Sequence, residues 1–237
     1  MPNRLLRLAA SAAGALALVL LLPPLAPAQQ DRGELNEERI GQLEFRNIGP
    51  AVTGGRIHDV EALPDDPSTV YVATATGGLW RSHNGGTTWD ALFQHQPVSN
   101  FGDIDIAPTD SDVIYAGTGG QQNRQSTSWG NGVYRSVDAG SSWTHMGLVE
   151  TRHIAEVEVH PEDPDVAWVA AQGNLWAPSE ERGVYKTTDG GETWQKVLHV
   201  DTLTGANDLA VDPQNPNVIY ASTYQRLRRT WGFNGGG

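Results

Sequence analysis

The chain contains no cysteine among its 237 residues. It therefore has no disulfide framework and no cysteine to carry a lipid, so packing and hydrogen bonds alone must hold the fold. Its histidines are scattered without the spacing of metal ligands, and no HExxH motif, CxxC pair, phosphate-binding loop or nucleophile elbow is present. We predict neither a metal site nor a cofactor.

Basic residues are also scarce. Lys and Arg total 16 against 28 Asp and Glu, which gives a formal net charge of −12. This balance disfavours nucleic acid and anionic membrane surfaces as partners, because both reward basic patches. Glycine and proline are abundant instead, at 27 and 14 residues, and the apolar runs are short. Such turn-rich composition predicts an all-β protein.

One long apolar run stands at the N-terminus. It spans residues 8–22, with two arginines before it and the small-residue segment Ala26-Pro27-Ala28 after it. This pattern predicts a signal peptide over residues 1–28, cleaved after Ala28, and hence a secreted or periplasmic protein without a stable membrane span. An uncleaved anchor is the alternative. Residues 29–44 form a polar lead-in.

A short turn motif recurs three times. The Trp that closes each copy returns about every 50 residues, the period of a large structural repeat. The copies consist of Ser82, Asn84, Gly86 and Trp89; Ser136, Asp138, Gly140 and Trp143; and Thr187, Asp189, Gly191 and Trp194.

Each motif belongs to a larger unit of four predicted strands. An alternating acidic run opens the units at 59–64, 103–108, 156–161 and 208–213, and a β-branched or aromatic run follows each. Four short strands over about 50 residues make one blade of a β-propeller. We predict a propeller over residues 45–237, with blades at about 56–93, 100–148 and 153–200 and a partial fourth at about 205–237. Because the fourth unit shows only its first two strands, we expect the N-terminal fragment of a longer protein.

The turn motif is predicted to be structural. Its Asp can accept hydrogen bonds from backbone N–H groups of its own loop, and Gly140 and Gly191 can adopt positive φ. A catalytic Asp is needed once, whereas this Asp recurs in successive blades and is replaced by Asn84 in the first. Within the acidic runs, Asp103 and Asp105 share one face of an innermost strand, where they could line a channel.

Candidate ligand contacts lie on the opposite face. Antiparallel strands put the connections between strands two and three, and those between blades, at the end away from the turn motifs. Long connections there tend to be functional. We predict contacts from three loop tryptophans, three residues ahead of innermost strands and one residue of a basic cluster: Trp129, Trp176, Trp231, Arg56, Arg152, His153 and Arg226. The alternatives are tryptophans that cover their own loops and arginines paired with nearby acids.

The turn motif resembles the Asp box, or BNR repeat, of sialidases, sortilin-type receptors and two-propeller xyloglucanases. The segment from Gly49-Pro50 to Ile57 looks like that of exported bacterial proteins labelled glycosyl hydrolases. The resemblance implies a β-propeller. The sialidase motif is absent, since residues 45–48 read Phe-Arg-Asn-Ile, and Ala75 stands where xyloglucanases carry a catalytic Asp.

We therefore expect an exported propeller that acts as a binding scaffold for a carbohydrate or protein ligand. The first alternative is an atypical glycoside hydrolase with catalytic groups on the face opposite the Asp boxes or farther along the chain. The second is a sortilin-like peptide receptor. No catalytic residue is assigned.

Overall fold

The computed structural model describes residues 56–212 and 214–236. The predicted signal peptide (1–28), the predicted lead-in (29–44) and the start of the predicted propeller lie outside the described residues. Within the described ranges, no helix is both long and apolar enough to cross a membrane.

The described residues form four antiparallel sheets that follow one another along the chain. The first contains β1 (Ile57–Leu63), β2 (Asp66–Thr74), β3 (Leu79–Ser82) and β4 (Asp90–Ala91). The second contains β5 (Phe101–Ile106), β6 (Ile114–Thr118), β7 (Val133–Ser136) and β8 (Thr144–His145). The third contains β9 (Ile154–Val159), β10 (Ala167–Ala171), β11 (Gly183–Thr187) and β12 (Gln195–Leu198). The fourth contains β13 (Thr204–Asp212), β14 (Asn215–Arg229) and β15 (Gly232–Gly236). The predicted fold class, a partial β-propeller, is confirmed.

The core lies between neighbouring blades. The second strands β6 and β10 are buried along their whole length, because each is covered by a blade on either side. Tyr115 of β6 packs with Val157 and Val169 of the next blade, and its hydroxyl donates to Pro164 O at 2.9 Å. Tyr71, at the matching place in the first blade, donates to Ala139 O at 3.2 Å. The repeated β-branched and aromatic runs thus give each blade the apolar surface that packs against its neighbours.

The end of the fourth blade differs from the sequence expectation. The sequence predicts a loop carrying Trp231 after the second strand of this blade, but β14 continues to Arg229 and pairs with β15, from Gln225 opposite Gly236 to Arg229 opposite Gly232. In the second blade, the third strand pairs with the beginning of the second strand, with Ser136 opposite Ile114. Since β15 pairs only with the far end of β14, it extends a hairpin and does not supply the third strand of the blade.

Hydrogen bonds within each Asp-box turn stabilise its conformation. Asp138 accepts bonds from the Ser142 N–H at 2.7 Å and the Ser136 hydroxyl at 2.8 Å, and the Ser136 hydroxyl accepts from the Gly140 N–H at 2.8 Å. Gly140 has a φ of 85°. The turn then binds the turn between strands one and two, because the Ala139 N–H donates to Asp112 O at 2.9 Å. The Asp boxes and these turns therefore share one face.

In the first copy of the motif, the amide of Asn84 takes the place of the Asp carboxylate as hydrogen-bond acceptor. Asn84 Oδ1 accepts the Thr88 N–H at 2.8 Å, the bond that Asp189 makes with the Thr193 N–H at 2.9 Å. In the third copy, the Trp194 indole N–H reaches Met146 O of the preceding blade at 2.7 Å.

Asp138→Ala is expected to lower the melting temperature by about 2–4 °C, because it removes the carboxylate that accepts from three donors, the Ser136 hydroxyl and the Ser142 N–H and hydroxyl. Asp138→Asn should retain most of the stability, as the first copy does. Differential scanning calorimetry of the full-length protein checks both, and equal melting temperatures for Asp138→Ala and wild type would contradict the structural assignment.

Candidate functional site

The connections opposite the Asp boxes form one continuous surface, which we call the loop face. It consists of residues 119–132, 149–153, 172–182 and 225–236. Backbone bonds join its parts: the Gly119 N–H donates to Asn100 O at 3.0 Å, and the Gly130 N–H donates to Arg152 O at 2.7 Å.

The loop at 119–132 spans this face from the first blade to the fourth. On one side, Arg56 donates to Gln122 Oε1 at 2.9 Å. On the other side, Gln125 Nε2 donates to Thr230 O at 3.2 Å. Nearby, Arg228 Nη1 donates to Asn123 O at 3.3 Å. The base is held by Asn100, whose amide binds both Ser128 O and Trp129 O at 2.9 Å. The longest loop of the second blade is therefore a bridge between blades.

Trp129 and Arg152 form an exposed pair on this bridge. Trp129 is 54% exposed, and the Arg152 guanidinium carbon lies 4.5 Å from the centroid of one of its rings. Glu150 also lies 3.6 Å from Arg152, so the alternative of a local ion pair is realised together with the stack. Arg152 has a φ of 57°, a left-handed conformation that costs a non-glycine residue energy. The strained residue is thus the one that places a guanidinium beside the exposed indole of Trp129.

The other predicted contacts differ in accessibility. Trp231 is 87% exposed beside Thr230, at the end of the bridge. Arg56 is exposed but already bound to Gln122. Trp176 is half-buried, which leaves only part of its indole available.

His153 and Arg226 require a correction. Both were predicted as direct ligand contacts, yet His153 is fully buried and Arg226 is only 5% exposed. His153 Nδ1 lies 3.1 Å from Gly120 O, and Arg226 binds the side chain of Gln172. Burial, followed by repulsion from nearby arginines, lowers the pKa of His153 to about 3, so the imidazole is neutral. Neither side chain can reach a ligand in this arrangement, because loops from neighbouring blades cover both.

Arg182 is a further residue of this face that the sequence-based predictions do not include. This residue is fully buried and donates to Gln172 O at 2.5 Å, Asn174 O at 2.5 Å and Arg226 O at 2.8 Å. Burial lowers its pKa to about 10, which leaves it charged at neutral pH. It ties the third blade's loop to the fourth blade's hairpin. No local signal marks it, since its partners lie in two segments, the loop at 172–174 and the hairpin at Arg226.

A second group of residues lines the axis. The innermost strands carry carboxylates at alternate positions, and several reach across to the next blade. Asp103 accepts the Val157 N–H at 2.8 Å, and Asp105 accepts the Val159 N–H at 2.6 Å. Glu158 accepts the Val211 N–H at 3.4 Å. These carboxylates therefore hydrogen-bond adjacent blades to one another.

Burial and mutual repulsion raise the pKa values of these acids. Burial first, then Glu156 and Asp59, raises the pKa of Asp103 well above its usual range. Burial raises the pKa of Asp105 to about 8, and burial with neighbouring carboxylates raises those of Glu61 and Glu156 to about 7. Much of the group is therefore protonated near neutral pH.

A cleft lies at the Asp-box end of the axis. Its volume is about 610 Å³, and Asp105, Glu158, Glu162 and Asp212 line it with prolines and valines. The sequence predicts ligand contacts on the opposite face instead. In residues 56–212 and 214–236, no three His, Asp or Glu side chains are placed to hold a metal ion.

Comparisons with known proteins agree with the fold. The family model described as "Sortilin, neurotensin receptor 3" matches residues 131–231. A xyloglucanase of Hypocrea jecorina is 26% identical over 189 residues, covering 74% of this chain and 21% of the relative. A xyloglucanase of Acetivibrio thermocellus is 24% identical over 176 residues, covering 60% of this chain and 20% of the relative. The chain thus spans about a fifth of the length of these relatives.

Solved structures show the same architecture. The crystal structure of an ancestral GH74 enzyme superposes with a TM-score of 0.60 at 21% identity, covering 76% of this chain and 24% of the other. Together with the repeated Asp boxes and the four-stranded blades, these likenesses support a β-propeller of the BNR-like, Asp-box type.

Proposed function

We propose that this chain forms part of an exported β-propeller that binds a polysaccharide on its loop face. One observation carries the proposal: Trp129 is held open on a bridging loop with the Arg152 guanidinium stacked beside it. An exposed, rigidly mounted indole offers a flat apolar surface on which a sugar ring can stack, while adjacent polar groups fix its orientation. The export rests on the predicted signal peptide, and the names of the xyloglucanase relatives support a glycan as ligand.

Binding without turnover is favoured over hydrolysis at the position that the resemblance highlights. Ala75 follows β2, is only 3% exposed and donates its N–H to Arg56 O at 2.8 Å. A methyl side chain cannot transfer protons. The matching position in xyloglucanases would supply a carboxylate, so this chain lacks that catalytic group.

A hydrolase remains the second candidate because of the axial cleft. Asp105 and Glu158 line it together, and the pKa of Asp105, about 8, would keep a carboxylic acid protonated at neutral pH. Glycosidases need such a protonated acid beside a second carboxylate. This candidate places catalysis at the opposite end from the binding surface.

Trp129→Ala should weaken binding of xyloglucan to the full-length protein about 10-fold, from the loss of a stacking contact. Isothermal titration calorimetry measures the change. Tyr220→Ala is the matched control, because Tyr220 is an exposed aromatic (61%) on β14 away from the loop face, hydrogen-bonded to Asp212. Unchanged affinity in Trp129→Ala would refute the proposed surface. Release of reducing sugars, lost in Asp105→Asn, would establish the hydrolase instead.

A further inference from the structure

We infer that the loop face selects an acidic polysaccharide, one whose sugar rings carry carboxylate groups. The inference rests on the proposed function, polysaccharide binding at this face, and specifies its substrate class.

Charge is distributed unevenly over the chain. Although the net charge is −12, the loop face and its rim hold seven of the nine arginines in the described residues. Besides the buried Arg182, they include Arg56, Arg124, Arg152, Arg226, Arg228 and Arg229. The acids at this end are Glu150, Glu180, Glu181 and Asp201, whereas the innermost strands and the turns at the Asp-box end carry most of the others. The loop face is therefore positively charged, although the protein as a whole is acidic.

The positive charge beneath this face is not neutralised locally. Among the described residues, no carboxylate lies within ion-pairing distance of Arg182, Arg226 or Arg228. Carbonyl and amide oxygens accept some of their N–H groups, but each of the three retains a buried Nε–H without an acceptor. Hydrogen bonds to neutral acceptors satisfy donors without cancelling charge. A charge in a low-dielectric interior extends its potential to the nearby surface.

The buried His153 lies within this positive potential. It is fully buried, its Nε2 has no partner, and nearby Arg226, Arg152 and Arg182 all act to lower its pKa, after burial itself. The three arginines thus disfavour a further positive charge at this place and favour a negative one.

The surface pairs aromatic rings with guanidinium groups at two places. Arg152 lies on Trp129, as described above. On the hairpin, Arg228 lies 5.7 Å from the ring of Phe233, and exposed Arg229 is two residues from Trp231. The bond from Gln125 to Thr230 connects the two places. A ring that stacks on a sugar face and a guanidinium that grips a carboxylate in bidentate fashion together match a uronic acid residue.

An acidic peptide fits less well. It would satisfy the arginines, but its carboxylates stand on flexible chains without flat rings to cover exposed Trp129 and Trp231. The combination of open indoles and guanidinium groups therefore favours the glycan.

The test compares polygalacturonate, its fully methyl-esterified form and xyloglucan as ligands of the full-length protein in isothermal titration calorimetry. We expect polygalacturonate to bind at least about 10-fold more tightly than the ester, with the difference shrinking at about 0.3 M salt. Arg152→Gln and Arg229→Gln should each reduce this preference. Lys186→Gln is the matched control, because it removes one positive charge in the middle of β11, where Lys186 lies over Trp168.

Each other outcome has a defined meaning. Equal affinity for polygalacturonate and its ester would overturn the acidic preference and leave the proposed polysaccharide binding intact. Failure of all three polysaccharides to bind would overturn both. Binding of poly-glutamate as tight as that of polygalacturonate would overturn the identification of a glycan. A preference unaffected by either arginine variant would exclude the loop face as its source.

Discussion

Raising the pH from about 5 to about 9 is expected to lower the free energy of unfolding of the full-length protein by about 3 kcal/mol or more. The cause lies in the axial carboxylates. The pKa of Asp105 is raised to about 8, and those of Glu61 and Glu156 to about 7. The propeller should thus be most stable in mild acid.

The direction follows from proton binding in the two states. In the unfolded chain these acids have pKa values near 4, so between pH 5 and 9 the unfolded state binds fewer protons than the folded state. The stabilisation from the raised pKa values is complete below about pH 4. It is lost as the pH passes through the folded values of about 7 and 8. Most acidic proteins with salt-bridged carboxylates show the reverse slope in acid.

Asp105→Asn isolates one contributor. The amide oxygen can still accept the Val159 N–H, while the repulsion that Asp105 feels from Glu158 and Glu61 disappears. We expect the variant to be more stable than wild type at pH 9 and to show a shallower decline in urea denaturation at pH 5, 7 and 9. In the control Asp189→Asn, the lost carboxylate has a pKa lowered to about 2 by bonds from Thr193 and Thr187. Its removal should leave the slope over this range unchanged, and a flat wild-type profile would contradict the assignment of the axial acids.

The blades could be predicted from sequence because each strand carries its own signal. Alternation in β5 and β9, apolar runs in β6 and β10 and the Asp-box turn are all local patterns that recur. Repetition also settled the role of the Asp box, since Asn84 fills the position of Asp138. Local patterns of this kind need no knowledge of long-range contacts.

The loop face could be predicted only in part, because burial there depends on distant segments. His153 and Arg226 look accessible in sequence, but loops from other blades bury them. Arg182 has no motif, and its acceptors lie in two segments distant in sequence, the loop at 172–174 and the hairpin at Arg226. The hairpin of β14 and β15 was predicted as a loop because its glycine-rich end lacks strand formers. Each of these outcomes is decided by tertiary packing.

Gly102→Ala is expected to be a severely damaging small substitution. A Cβ at Gly102 would lie 1.7 Å from Ile154 O of the next blade and 2.9 Å from Gly119 O. Both obstacles are backbone atoms, so no side-chain rotation can relieve the clash. Gly102 lies at an irregularity of β5, between Phe101 and Asp103 in the register with β6. We expect a loss of about 3 kcal/mol or more, or failure to accumulate as soluble protein.

Substitutions of two further glycines serve as comparisons for Gly102→Ala. A Cβ at Gly232 would meet nothing within 4 Å, and this position has no positive φ, so Gly232→Ala should change stability by less than about 0.5 kcal/mol. A Cβ at Gly120 would lie 3.2 Å from Thr127 Cγ2, a side-chain atom that can shift, so Gly120→Ala should fall between the two. Urea denaturation and soluble yield rank the three variants. If Gly102→Ala proved as stable as Gly232→Ala, the close backbone approach of the second and third blades, on which the axial carboxylate clasps also depend, would be wrong.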